Sequence, residues 1–176
     1  MIIFLTGDRQ IGKSTAIQRF LAAFPQLRLG GYFTRSAGMD VYMLPASAPL
    51  EVLLSEDLSG EIFSAAGGFP VGERRIGGFP EAFDTKGAEL LRNSENADLM
   101  ILDEIGWMEE KADIFSSEIL RLVHSGKNIL GVIRKGCSTA LCRELYSLPS
   151  VTVLELNESN RDQMPETLAE YFRRNI

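Results

Sequence analysis

The first two dozen residues limit the fold more than any other stretch of this chain. An apolar run, IIFL at positions 2–5, passes almost directly into GDRQIGKS, Gly7 to Ser14, and an amphipathic segment, KSTAIQRFLAAF, overlaps its end. A short continuous apolar run bounded by glycine reads as a buried strand, the kind found in parallel sheets covered on both faces. The pattern GxxxxGK[ST] between such a strand and a helix forms a concave loop whose backbone N–H groups face inward around an anion. Glycine at 7 and 12 permits backbone angles that a Cβ opposes. The chain is therefore expected to be an α/β protein with a phosphate cradle at the carboxyl edge of its sheet.

The rest of the sequence continues that alternation with one interruption. LGGYFTR (29–35) reads as a second strand, with Pro25 closing the helix before it. Between 38 and 80, glycine and proline recur, and DVYMLPA, PLEVLL and EIFSAA read as strands of an antiparallel β insert. FDTKGAELLRNS predicts a helix capped by Asp84 or Thr85. ADLMILDE, NILGVI and VTVLEL predict three further strands. Helical stripes are expected at Ala16, Phe20 and Ala23; at Phe115, Ile119, Leu122 and Val123; at Leu141, Leu145 and Leu148; and at Met164, Leu168, Tyr171 and Phe172. They are read as core-facing.

At 176 residues and 45% hydrophobic, the chain suits a single domain, 1–176, with the β-rich insert inside it. Net charge is −6, with no basic block, so no general nucleic-acid surface is expected. No run reaches the roughly 18 to 20 apolar residues of a membrane span, and no secretory leader precedes the cradle, so a cytoplasmic setting is expected. Cys137 and Cys142 have no second pair to complete a zinc site and are read as packing residues. His124 is expected as a charge near a helix C-terminus.

The cradle implies distinct roles for its residues. Gly7, Asp8, Arg9, Gln10, Ile11, Gly12, Lys13, Ser14 and Thr15 form the candidate nucleotide-binding segment. Lys13 brings a full charge to the β- and γ-phosphates, and the Ser14 hydroxyl is the expected ligand of Mg2+. Gln10 stands where many such loops carry a further glycine, and Arg9 at the tip either touches phosphate or stays solvated. LMILDE ends in two acids, Asp103 and Glu104, at the carboxyl end of a buried strand, the edge where open α/β sheets bind ligands. Asp103 is expected to share the metal with Ser14, and Glu104 to direct and deprotonate an attacking water. Lys13, Asp103 and Glu104 are thus the catalytic candidates. Arg134 and Lys135 directly follow NILGVI and can reach the same edge, Arg134 as an internal arginine finger or as an exposed loop cation. Asn160 and Arg161 follow the last strand, where they either meet the base or cap a helix and face solvent.

Together with the cradle, GGYFTR (30–35), DEIGWME (103–109) and NRD (160–162) resemble the small P-loop nucleoside-triphosphatase family called the cancer-related or thermophile type. The resemblance runs from end to end and is weakest across 38–80. It implies a RecA-like P-loop NTPase fold, a mostly parallel central sheet flanked by helices, and Mg2+-dependent hydrolysis of ATP, GTP and other nucleoside triphosphates to diphosphate and phosphate. It adds a supporting role for Glu109. The chain departs from the family pattern at Trp107, which replaces a lysine; at Ser159, which replaces an acid; and at Arg35 and Ser36, which stand where glutamates are common. Two other readings stay open. One is a small-molecule kinase whose acceptor cleft lies in the insert, with Arg74 and Arg75 for an anionic substrate. The other is a nucleotide-dependent binding module with little turnover. Nothing in the sequence points to a particular protein partner.

Overall fold

The computed structural model describes residues 1–54, 58–94 and 96–175. The described residues fold around one eight-stranded sheet. β1 (Ile2–Gly7) is followed by α1 (Lys13–Ala22), then β2 (Leu29–Ala37) and β3 (Asp40–Pro45). Next come α2 (Leu50–Leu54), α3 (Gly60–Ala65), β4 (Phe69–Glu73) and the two-residue β5 (Gly77–Gly78). A helical stretch follows, α4 (Pro80–Ala82), a π-helical turn at Phe83–Gly87 and α5 (Ala88–Arg92), leading to β6 (Leu99–Ile105). The chain ends with α6 (Asp113–His124), β7 (Ile129–Ile133), α7 (Ala140–Ser147), β8 (Thr152–Leu156) and α8 (Met164–Arg173).

The sheet order is β5-β4-β3-β2-β6-β7-β1-β8. The strands β2, β6, β7, β1 and β8 pair in parallel, whereas β3, β4 and β5 add antiparallel to the β2 edge. Alternation along each central strand feeds two cores. Phe4, Met100 and Leu102 face Phe115, Ile119 and Leu145 on one side, while Ile3, Leu5 and Ile101 face Ile17, Phe20, Leu168 and Phe172 on the other. Helices cover both faces, which explains the near-unbroken apolar character of β1, β6 and β7. The GG of GGYFTR has a packing cause. A Cβ on Gly30 would crowd Ser94 and Ala97, and one on Gly31 (φ 82°) would collide with the Ile101 carbonyl of β6.

The insert corrects part of the sequence reading. DVYMLPA is a strand, but PLEVLL and EIFSAA belong to α2 and α3, each only five or six residues long. Leu53 and Phe63 are fully buried in the same core as α1. A short apolar run does not reveal its own period, and here tertiary burial selects the helix. Residues 55–57 of the insert lie outside the described residues. Asp84 does not cap its own helix either; its Oδ1 accepts the Phe115 N–H at 2.9 Å, in the first turn of α6. Thr85 Oγ1 donates to the Glu81 carbonyl inside the helical stretch. The predicted stripe of α6 is buried throughout, but Ala23 is exposed just past the end of α1, and Tyr171 is exposed while Ala169 takes the inner place. Leu148 follows the last residue of α7 and is partly buried.

Candidate active site

Sheet order brings the two clusters together. Strands lie about 4.8 Å apart, and β7 alone separates β1 from β6. The loop after β1 and the acids at the end of β6 are thus about 10 Å apart at the same edge. Between and beyond them runs a cleft of about 860 Å3. Its lining includes Gly7, Asp8, Arg9, Gln10, Gly12, Lys13, Ser14, Thr15, Glu104, Arg134 and Lys135.

The loop is shaped for an anion. Gly12, at φ 111°, is the N-cap of α1 and provides no side-chain cap, so first-turn amides remain available to a ligand. Gly7 has φ 144°, and a Cβ there would stand 2.5 Å from the Leu156 carbonyl oxygen of β8. Gln10 takes the left-handed φ of 61° itself, the one non-glycine residue among those described to do so. The curvature that a further glycine would supply is thus adopted by glutamine, at a cost of about 1 kcal/mol. Ile11 does not line the cleft. Its side chain packs toward the α1 core and its N–H donates to the Asp8 carbonyl. Lys13 Nζ donates to the carbonyls of Gly7 (2.9 Å) and Asp8 (2.8 Å), folded across the cradle. Burial lowers its pKa, while Glu104, Asp103 and Asp8 oppose that by stabilising its charge.

The two acids occupy different environments. The Asp103–Glu104 peptide is cis, and Thr34 holds it from both sides, donating to the Asp103 carbonyl (3.1 Å) and accepting the Glu104 N–H (3.2 Å). Pairing between β6 and β7 shifts register over these residues, between Leu102 and Ile105. Glu104 opens onto the cleft. Burial raises its pKa first and the Asp103 charge second, with Arg134, Lys13 and Arg9 pulling the other way. Asp103 is only 4% exposed and is not among the cleft-lining residues. Its Oδ2 accepts from Arg35 Nη1 at 3.3 Å. Arg35 is itself tied down, donating to the carbonyls of Thr34 and Leu53. Burial raises the Asp103 pKa, opposed by Arg35 and Lys13.

Other residues were less legible in the sequence. Glu109 is 2% exposed and accepts the Gly106 N–H at 2.6 Å, closing the turn after β6; burial pushes its carboxyl up to about 7. Lys135 bridges Asp8 of the cradle (3.1 Å) and Glu155 of β8 (2.9 Å). Thr34 and Arg35 sit in GGYFTR, but their contact with the acid pair has no signal short of the β2–β6 register. Asn160 and Arg161 do not line the cleft. Asn160 accepts the Asn157 N–H and donates to the Glu155 carbonyl, pinning the turn after β8, and Arg161 is exposed. His124 is the last residue of α6, at the helix end where it was expected. Both cysteines are buried free thiols, and no cluster of three or more metal-binding side chains of the His/Cys/Asp/Glu type occurs among the described residues. Among the described residues no helix is long and apolar enough to cross a membrane.

A sequence model of the family described as NTPase matches residues 59–169. The chain belongs to this NTPase family. Among family relatives, the nucleoside-triphosphatase THEP1 of Methanosarcina barkeri is 29% identical, over 97% of this chain and 97% of that protein. A cancer-related nucleoside-triphosphatase homolog of Mus musculus is 27% identical, over 95% and 94%. The crystal structure of THEP1 from the hyperthermophile Aquifex aeolicus superposes with a TM-score of 0.72 at 20% identity, covering 98% of this chain and 99% of that one. With the parallel sheet and its edge, this likeness identifies the P-loop NTPase fold.

Proposed function

We propose that this protein hydrolyses nucleoside triphosphates, ATP and GTP among them, to nucleoside diphosphate and phosphate in the presence of Mg2+. The observation that carries the reading is one cleft lined jointly by Lys13, Ser14 and Glu104. Family membership, with relatives named as nucleoside-triphosphatases, supports it.

The phosphates take the cradle, held by the amides of Gly12 to Thr15 and by Lys13, whose Nζ turns from the Gly7 and Asp8 carbonyls to the incoming anion. The donor set suits a hard cation: the Ser14 hydroxyl and the Asp103 and Glu104 carboxylates are all oxygen. Ser14, on the cleft wall, would hold Mg2+ directly, and Asp103, which lies behind that wall with Oδ2 on Arg35, would act on the ion through water. Bound there, the ion would neutralise charge on the β- and γ-phosphate oxygens. Glu104 orients a water and accepts its proton as the new O–P bond forms at the γ-phosphorus. The bond from that phosphorus to the bridging oxygen breaks, and the diphosphate leaves with the electron pair. Positioning and charge stabilisation supply most of the acceleration in such transfers. Arg134, with Nη1 3.9 Å from Glu104 Oε1, supplies positive charge beside the transferring group.

One observation favours the kinase as a second reading. The cleft continues past Glu104 to Ser36, Val41, Val71, Arg74 and Phe83, which is room for an acceptor. A single assay tests both. Purified protein is incubated with each triphosphate and Mg2+, with EDTA as control, and phosphate and diphosphate are quantified. Phosphate release without added acceptor, abolished by EDTA, is the expected result. Diphosphate formed only with an acceptor would replace hydrolysis by phosphoryl transfer, and tight binding without product would leave a binding module.

A further inference from the structure

Trp107 is the one tryptophan of the chain, and it presents a half-exposed indole at the cleft. The turn that carries it is closed by two hydrogen bonds. Glu109 holds the Gly106 N–H, and the Glu110 N–H donates to the Trp107 carbonyl at 3.2 Å. On its outer side Met108 packs against the β4–β5 hairpin so closely that a Cβ on Gly78 would collide with the Met108 carbonyl. The ring therefore sits on a platform fixed from two directions.

Arg134 lies on that ring. Its N–H donates to the Ile105 carbonyl at 2.9 Å, anchoring the base of the side chain to the end of β6. Its Cβ and Cδ pass 3.4 Å from where a side chain on Gly106 would begin, and its guanidinium carbon is 4.5 Å from the indole centroid. The ion pair with Glu104 is loose at 3.9 Å, and the Arg134 side chain is 49% exposed. An arginine with that much solvent has many rotamers to choose from, and a distant carboxylate does not select among them. A cation over the face of an indole does select, because the ring quadrupole attracts the guanidinium and its stem packs on the turn.

We propose that Trp107 is a positioning residue whose indole face holds the Arg134 guanidinium beside Glu104, above the seat of the γ-phosphate. The last clause rests on the hydrolysis reading; the contact itself does not. Arg134 covers one face of the ring, which argues against that face serving as a stacking platform for a base.

The test combines kinetics with the emission of this single tryptophan. In the nucleotide-free protein, Arg134→Ala removes the cation from the ring and is expected to change Trp107 emission, whatever the enzyme does. In steady-state phosphate release, Trp107→Ala is expected to lower kcat by about 2- to 5-fold at unchanged KM. Trp107→Phe, which keeps an aromatic face, is expected to restore most of that loss. In an Arg134→Ala background, Trp107→Ala is expected to have no further effect on kcat. The proposal is overturned if emission is the same with and without Arg134, or if Trp107→Ala is equally costly in both backgrounds. A raised KM at unchanged kcat would also overturn it and assign the ring to nucleotide binding. Absence of phosphate release from the wild type would defeat the hydrolysis reading alone, with emission still deciding the contact.

Discussion

Glu109→Gln isolates a buried carboxyl whose cost depends on pH. Glu109 is 2% exposed, and burial moves its pKa from 4.5, the value of an exposed glutamate, to about 7, outweighing the N–H of Gly106 that favours the charged form. The folded protein therefore binds this proton more tightly than the unfolded chain, and stability falls as pH rises between those two values. At about 1.4 kcal/mol per pH unit, the gap corresponds to about 3 kcal/mol. Glutamine has the shape of the protonated acid, keeps an oxygen for the Gly106 N–H and cannot ionise. Below about pH 4.5 variant and wild type should therefore be close in stability, and the variant should gain progressively up to about pH 7 and then level off. Urea unfolding followed by circular dichroism at pH 5, 6, 7 and 8 measures the difference, and titrations shared by both proteins cancel in it. A difference that does not vary with pH would refute the reasoning, as would a variant that loses stability at pH 8.

Glu104→Gln should keep nucleotide affinity, read by equilibrium binding, and lose about 100- to 10,000-fold in turnover. Because burial and Asp103 raise the Glu104 pKa, the acid limb of the wild-type kcat profile should lie above the ordinary carboxylate range. Arg35→Met leaves Asp103 buried without its cation and should cost about 3 kcal/mol at pH 8, measured by urea unfolding. Gly7→Ala places a Cβ against the Leu156 carbonyl in a backbone region that disfavours side chains, and should lower stability by about 1 to 3 kcal/mol in the same assay.

The sequence by itself determined the parts of this protein that depend on local chemistry. Glycines at 7 and 12, with Lys13 and Ser14 between a buried strand and a helix, specify a cradle because its curvature and charge come from adjacent residues. The apolar runs of β1, β6 and β7 announced a sheet covered on both faces, because burial on both sides removes the need for alternation. Local pattern failed where the deciding partner lies far along the chain. PLEVLL and EIFSAA became helices because Leu53 and Phe63 found room beneath the sheet, and Asp84 capped α6 because packing brought Phe115 to it.

Only the tertiary structure decided how the acids differ. Asp103 and Glu104 are neighbours in sequence, yet one turns to Arg35 from the adjoining strand and the other opens on the cleft, a choice made by the register of β2 against β6. The same holds for Trp107 and Arg134, 27 residues apart, which meet because β6 and β7 are paired and the turns at their ends lie side by side. A chain can write a loop in eight consecutive residues, but the charge each carboxylate feels depends on Coulomb and burial terms set by strands that pair across the sheet.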